Sequence, residues 1–414
     1  MQNNQDTLQS LSSDLRFLIA CCRTERSEED TAFLQGHLSH KDAEGLEALV
    51  SLSVSHGILP LAYKSIKEIT EQQNHTVPMD FLTKLKTYYM GISQRNMLMS
   101  AELIRIMKLL EENGIEALAF KGPALAQAAY GDITLRQFSD LDILVREEDI
   151  YKAAELIVAQ NYEPMDSIVF LQNEAKLQVE KNYEFYGRKN GIKVEIHWRL
   201  INSSFLKKFK NYDVFDKQEE VQINKVPIPT LDTKILLLYL CNHGASHMWE
   251  RLEWIADIDR LIRSEGSSWK WDEILELAGS LQSKMTLLLG LALSRELFHT
   301  DLPSSISAQL DTDQISKPVS MVLNTFDSDL ITKDHTSHEK NLKVFRFHLA
   351  LQDSLATKAG FVLQTLFGYS DRDVMSVNLP RPLFFLYYPL RILRIIDKYT
   401  LTPIKGLFSK TERH

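Results

Sequence analysis

Cysteine is scarce: Cys21, Cys22 and Cys241 are the only three in 414 residues. They are too few and too unevenly spaced for a disulfide framework or a cysteine-based zinc site, and they read as free thiols in a reducing compartment. Long apolar runs are also missing. The longest uncharged stretch, Ile235 to Trp249, is broken by Asn242, His243, Ser246 and His247 and falls short of the roughly 18 residues a spanning helix needs. Met1 to Asp14 lacks the basic start and apolar stretch of a secretory signal, so the expected location is cytoplasmic. Positive charge is not in excess either. With 47 Lys plus Arg against 55 Asp plus Glu, the net charge is -8, which excludes a surface built for polyanions in general. Any nucleic-acid or phosphate contact must then be local.

What is present is an ordinary folding composition, 44% hydrophobic and 25% charged, on a chain long enough for two to three domains. Residues 1–96 read as a helical N-terminal region: Leu46, Leu49, Val50 and Val54 recur at helical spacing behind Asp42 as N-cap, with Gly57 as a stop. Residues 97–229 read as an α/β core. There the apolar run Ala117 to Phe120 precedes the turn Lys121-Gly122-Pro123, a second strand spans Leu141 to Val145, and a helix follows to about Gln160. Strands at 182–188 and 192–199 flank Lys189-Asn190-Gly191, whose Asn-Gly pair predicts a hairpin with both central residues at positive φ. Residues 230–315 return to helical periodicity and would complete a cleft. Residues 316–414 hold a polar span, Ser316 to Lys340, read as a linker or loop, then a helical region and a basic, aromatic C-terminal segment. The fold class expected is α+β, a mixed-sheet domain with helical regions on both sides.

The informative segment is Ser139-Asp140-Leu141-Asp142-Ile143. In an extended chain residues i and i+2 share a face, so Asp140 and Asp142 point together while Leu141 and Ile143 enter the core. Two convergent carboxylates repel unless a hard cation such as Mg²⁺ joins them. A third acid, Glu195, shares a strand face with His197 and Arg199, while Val194, Ile196 and Trp198 take the other. Gly122 has no Cβ to keep phosphate oxygens from the backbone, and Pro123 at the first helical position leaves a helix N-terminus facing the same space, an arrangement suited to a triphosphate.

These stretches, Phe120-Lys121-Gly122-Pro123-Ala124-Leu125-Ala126, Tyr130-Gly131-Asp132, Arg136, Asp140 to Val145 and Val194-Glu195-Ile196-His197-Trp198, closely resemble the uncharacterised nucleotidyltransferase family, found mainly in bacteria. The resemblance covers roughly Asn96 to Arg263 and includes Cys241-Asn242-His243-Gly244. It implies a branch of the polymerase-β-type nucleotidyltransferase superfamily. Asp140 and Asp142 then match the metal-binding pair, Glu195 the third acid, and Gly122 the glycine of the phosphate turn. The sequence departs from that pattern in placing Lys121-Gly122-Pro123 where Gly-Ser is usual and in a longer gap to Asp140. Lys121 presents a point charge either to a phosphate or to solvent. Arg136 either clamps a phosphate or neutralises the acidic pair. His197 either contacts metal, phosphate or acceptor, or is satisfied internally. Asp132 reads as turn chemistry. His243 and His247, i and i+4 on one helix, read as packed against Trp249 and Trp254, and Cys241 as core.

The implied reaction is Mg²⁺- or Mn²⁺-dependent transfer of a nucleoside monophosphate from an NTP to an acceptor hydroxyl on a small molecule, sugar, protein or RNA. Two alternatives keep the same sequence: a non-catalytic nucleotide-binding or sensing module, and an accessory protein of an envelope-polysaccharide or peptide-modification pathway. Within residues 382–413 an apolar aromatic run, Pro382 to Leu390, precedes Arg391, Arg394, Lys398, Lys405, Lys410 and Arg413. That composition suits weak peripheral contact with an anionic membrane, or packing on the helical domain with the charges solvated.

Overall fold

The computed structural model describes residues 8–9, 11–72, 77–165, 174–201, 212–326 and 338–396. Four helices open the chain: α1 (Ser13–Cys22), α2 (Glu28–Ser39), α3 (Ala43–Ser55) and α4 (Leu59–Gln72). Asp42 caps α3 by accepting from the Gly45 amide at 2.8 Å, and Gly57 leaves the helical region at φ 71°. Leu46, Leu49 and Val50 are buried as the spacing predicts.

Helix α5 (Met79–Glu112) has 34 residues and is about 50 Å long at 1.5 Å per residue. Its early residues Phe81 and Leu85 belong to one apolar core, and Met99, Leu103, Ile106 and Leu110 to another. One rod therefore joins the N-terminal helical region to the sheet domain and runs through the expected boundary at residue 96. Asn96, fully buried midway, donates to the carbonyls of Ile133 and Arg136 at 2.6 and 2.8 Å, fixing the loop that leads into the site.

The sheet domain follows as β1 (Ala117–Ala119), α6 (Gly122–Tyr130), β2 (Asp140–Val145), α7 (Ile150–Ala159), β3 (Tyr162–Pro164), α8 (Glu174–Val179), β4 (Asn182–Gly187) and β5 (Lys193–His197). Spatial order is β1-β2-β5-β4-β3, with β2 and β5 parallel and the other pairs antiparallel. Leu141, Ile143 and Val145 enter the core shared with α5 and α7, while Leu144 enters the core of the helical regions. Strand β2 is thus buried on both faces, and only its N-terminal end is left for polar groups.

The β4–β5 hairpin forms, but its turn differs from the two-residue type expected. Gly191 takes φ 64° and Asn190 does not; the Asn190 side chain instead accepts from the Ile192 amide at 3.0 Å and donates to the Tyr162 hydroxyl. Local side-chain bonding replaces the second left-handed residue. A further hairpin, β6 (Gln218–Ile223) and β7 (Val226–Leu231), escaped the sequence reading, with Asn224 and Lys225 both at positive φ. Pro227 and Pro229 in β7 disguise it as a loop.

Helices α9 (Thr233–Ser246), α10 (Leu252–Glu265), α11 (Trp271–Ser280) and α12 (Lys284–Phe298) match the expected helical half, followed by α13 (Ser304–Leu310) and α14 (Asp313–Phe326). The polar span expected as a linker is therefore helical as far as Phe326, because Ile315, Val319, Val322 and Leu323 form a buried stripe. Residues 327–337 of it lie outside the described residues. The described residues end in α15 (His338–Ala350), α16 (Leu355–Phe367), α17 (Asp371–Ser376) and α18 (Tyr387–Ile396). Among the described residues no helix is long and apolar enough to cross a membrane.

Candidate active site

Strand register builds the site. Asp142 pairs with Glu195 across β2 and β5, and Asp140 with Lys193 one step earlier on the same face. His197, two residues beyond Glu195, falls on that face too, beside Asn182 of β4. Ligand atoms of Asp142, Glu195 and His197 all lie within 4.8 Å of one another. His197 Nε2 stands 3.2 Å from Asp142 Oδ1 and 3.2 Å from Glu195 Oε2. Its ring packs edge-on against Phe120 at 5.1 Å and is wholly buried. The structure thus brings His197 into direct contact with the acids. Asp140 lines the same cleft outside this three-residue cluster.

Lys121 completes the group, its Nζ 2.9 Å from Asp142 Oδ1. It is neither solvated nor free for a phosphate as it stands. Glu195 is held by Asn182 Nδ2 at 2.8 Å and Lys193 Nζ at 2.6 Å. One acceptor is left over: Asp142 Oδ2 is buried with no hydrogen-bond partner, as is His197 Nδ1. A buried carboxylate oxygen without a donor is costly unless a cation or ligand group meets it. Two carboxylates and an imidazole are a donor set for a divalent transition-metal ion such as Mn²⁺, and the carboxylates with water suit Mg²⁺, so these residues fit a divalent cation.

Electrostatics follow the packing. Burial works against charge on Asp142, but Lys121 and His197 outweigh it and hold the carboxyl far below the ordinary range. Burial likewise opposes charge on Glu195, yet the hydrogen bond from His197, with the Lys193 ammonium beside it, brings its carboxyl down to about 2. Asp140 moves the other way, raised by burial and by the Asp142 charge. Lys121 keeps its proton despite burial because Asp142 lies against it.

Gly122 sits at φ 52°, and a Cβ there would stand 3.0 Å from the Asp140 carbonyl oxygen. The glycine is therefore demanded by the fold itself, by a left-handed backbone and by close approach to β2. Pro123 is at the start of α6 as expected, and no side chain caps that N-terminus. Asp132 makes the anticipated turn, accepting from the Thr134 amide at 2.8 Å.

Arg136 is placed differently from both sequence readings. Its Nε and Nη2 bond both oxygens of Asp257 at 2.8 and 2.9 Å, and the Tyr130 hydroxyl donates to the same carboxylate at 2.8 Å. It does not touch the acidic pair, and although it lines the cleft, its Nε and Nη2 are taken by Asp257, 121 residues away.

The cleft measures about 550 Å³ and is also lined by Lys181, Asn182, His243, His247 and Glu253. His243 and His247 pack on Trp254 at 5.4 and 5.2 Å, as read from the sequence, whereas Trp249 packs elsewhere, against Gly244. Burial leads the effects that lower both imidazoles' proton affinity. Cys241 is buried core. Sequence reasoning missed Asn182, Lys181 and Glu253; only the alternation of β4, which points Asn182 to the Glu195 side, offered a signal.

No curated protein matches this chain. Among solved structures it is similar to an antigenic nucleotidyltransferase-like protein from Paracoccidioides brasiliensis, with 13% identity, a TM-score of 0.34, and 50% of this chain covering 95% of that one. The family model described as "Uncharacterised nucleotidyltransferase" matches residues 42–299, more than half of the chain, and the chain belongs to that family.

Proposed function

We propose that the protein transfers a nucleoside monophosphate from an NTP to an acceptor hydroxyl, in the presence of Mg²⁺ or Mn²⁺ held by Asp142, Glu195 and His197, with Asp140 beside them. The observation that carries this is the partnerless, buried Asp142 Oδ2 within a three-ligand cluster in the cleft. When bound, the cation supplies charge neutralisation and polarisation at the α-phosphate. In the transfer, the acceptor oxygen bonds to the α-phosphorus as the bond to pyrophosphate breaks. Asp140, whose proton affinity is raised, takes the hydroxyl proton. Lys121 exchanges Asp142 for a phosphate oxygen as the nucleotide arrives, so charge is never left unpaired. The Asp257-bound Arg136 positions the Ile133–Arg136 loop and binds no substrate. Most of the rate enhancement is then positioning and preorganised charge.

Incubating the protein with each NTP and Mg²⁺ or Mn²⁺ tests this reading: metal-dependent release of pyrophosphate, lost in Asp142→Asn, is the expected result. Metal-dependent nucleotide binding without pyrophosphate release would instead identify a sensing module.

A peripheral membrane contact has its own observation. Of the twenty large apolar side chains exposed among the described residues, twelve lie between Leu342 and Leu393. Tyr387 is packed against Ala175 and Val374, and Arg391 and Arg394 face Asp373 at 3.6 and 2.6 Å, but Phe385 and Leu393 remain 62% exposed. Lys398, Lys405, Lys410 and Arg413 lie outside the described residues. We assign this C-terminal region to contact with an anionic bilayer, where apolar side chains and basic residues act together.

A further inference from the structure

A second cavity of about 400 Å³ opens beside the cleft, between α9, the end of β5, and α15 and α16. The two cavities meet at Lys181 and His243, which line both. Its volume lies in the range of small-molecule sites and is too small for a folded macromolecule. Leu200, Leu351 and Phe361 supply apolar wall.

Among the described residues, one polar group in it lacks a hydrogen-bond partner, and a half-buried cation lacks an ion-pair partner. The Tyr239 hydroxyl is buried and has no hydrogen bond of ordinary geometry, although its ring packs on Phe120 at 5.1 Å, one ring away from His197. Lys121 and Lys193 each pair with a carboxylate at 2.9 and 2.6 Å, but the Lys181 ammonium has no such partner among the described residues. Burial, assisted by the charge of Lys121, lowers the proton affinity of Lys181. An anion on Lys181 would relieve both effects.

We infer that this second cavity is the acceptor site, and that the acceptor is a small molecule with an anionic group on Lys181 and a hydroxyl directed past Tyr239 toward the carboxylates. The assignment rests on the nucleotidyl-transfer reading and adds the acceptor's chemical class to it. Its anionic group, carboxylate or phosphate, pairs with Lys181, while its apolar body lies against Leu200, Leu351 and Phe361. The hydroxyl oxygen attacks the α-phosphorus, pyrophosphate departs, and the hydroxyl proton passes to Asp140.

The test uses the full chain, the NTP that supports pyrophosphate release, labelled at the α-phosphate, and the fraction of a cell extract below about 1 kDa, a size matched to the cavity. Variants are Lys181→Met, Lys181→Arg and Ser246→Trp, the last narrowing the cavity from its exposed rim. Labelling by the wild type should be lost when the fraction is first depleted of anions on an exchanger, and treating the fraction with phosphatase beforehand tells a phosphate from a carboxylate. Lys181→Met should lower labelling roughly tenfold or more, the loss of one charge-assisted bond, with recovery in Lys181→Arg. Ser246→Trp should abolish labelling. In all three, calorimetric affinity for a non-hydrolysable NTP with Mg²⁺ should stay within about twofold of wild type, since uniform nucleotide binding is untouched.

Equal losses of nucleotide affinity and labelling in Lys181→Met would assign Lys181 to the triphosphate and overturn the inference while leaving nucleotidyl transfer intact. Unchanged labelling in the folded variants, or label found only on protein or RNA when whole extract is supplied, would overturn it as well. So would pyrophosphate release by the wild type with no labelled small molecule. Absence of pyrophosphate release from every NTP would remove the underlying reading itself.

Discussion

Two buried charge clusters, one around Asp257 and one around Asp142, are built differently. Around Asp257, Arg136 gives two hydrogen bonds and Tyr130 a third, tying α6, the loop and α10 together. Around Asp142, Lys121 and His197 both converge on Oδ1 and leave Oδ2 with nothing. Each carboxylate is essentially inaccessible, at 0% and 2% exposure. The difference lies in satisfaction. A saturated network holds elements in place, whereas a network with an orphaned acceptor and an adjoining cleft is arranged for a partner the polypeptide does not supply.

The sharpest way to break this comparison is Asp257→Asn. It leaves the Arg136 guanidinium buried without its charge, and it should destabilise the fold by about 3–5 kcal/mol in denaturant unfolding. The fraction that remains folded should keep metal-dependent nucleotide affinity. Loss of that affinity in folded protein would place Arg136 in the binding machinery after all.

Asp142→Asn should lower turnover by roughly 10²–10³-fold and, because Lys121 then loses its carboxylate, also cost stability, though less than Asp257→Asn since Lys121 borders the cleft. Pyrophosphate release and thermal unfolding, measured on one preparation, check both halves. A large drop in melting temperature with proportionate activity would make this cluster structural too.

Glu253 sharpens the comparison through pH. Burial leads in raising its carboxyl to about 7, with Asp257 adding and Arg251 opposing. The unfolded carboxyl ionises near 4.5, so between there and about 7 the folded state binds more protons, and its stability falls as pH rises. Glu253→Gln should remove that slope and be more stable than wild type at pH 8 by up to about 3 kcal/mol, with no difference near pH 4. Glu195 contributes with the opposite sign: its lowered value supplies stability present above about 4.5 and lost as pH falls toward about 2. Denaturant midpoints across pH 2 to 8 in Glu253→Gln and Glu195→Gln should separate these slopes.

Lys121→Met should shift two affinities in opposite directions. Without the ammonium on Asp142, Mn²⁺ alone should bind roughly tenfold more tightly, while NTP should bind roughly tenfold more weakly for want of a charged donor to phosphate. Parallel changes would show that Lys121 only balances charge.

The smallest effect concerns the C-terminal face. Sedimentation with anionic liposomes should recover more of the full chain than of one ending at Asn378, and the difference should vanish at high salt. Equal recovery would leave residues 382–396 as a packing element.

Much of this was legible in the sequence because it is local. Strand parity placed Asp140 and Asp142 on one face, and Glu195 with His197, since side chains alternate whatever the strand pairs with. Helical periodicity gave α9 to α12, and Asp42 gave the start of α3. The β6–β7 hairpin was hidden by its prolines, and α14 by its polar residues, whose apolar stripe acquires meaning only against α12. Parity cannot say which strands become neighbours. The β2–β5 register put Asp142 opposite Glu195, and packing gave Arg136 to Asp257, Lys121 to Asp142 and Lys181 to the seam between two cavities. The sequence determined which acids share a face and that a glycine turn precedes them. Only the tertiary structure decided which buried charges were satisfied, because a partner 121 residues away leaves no local trace in spacing or composition.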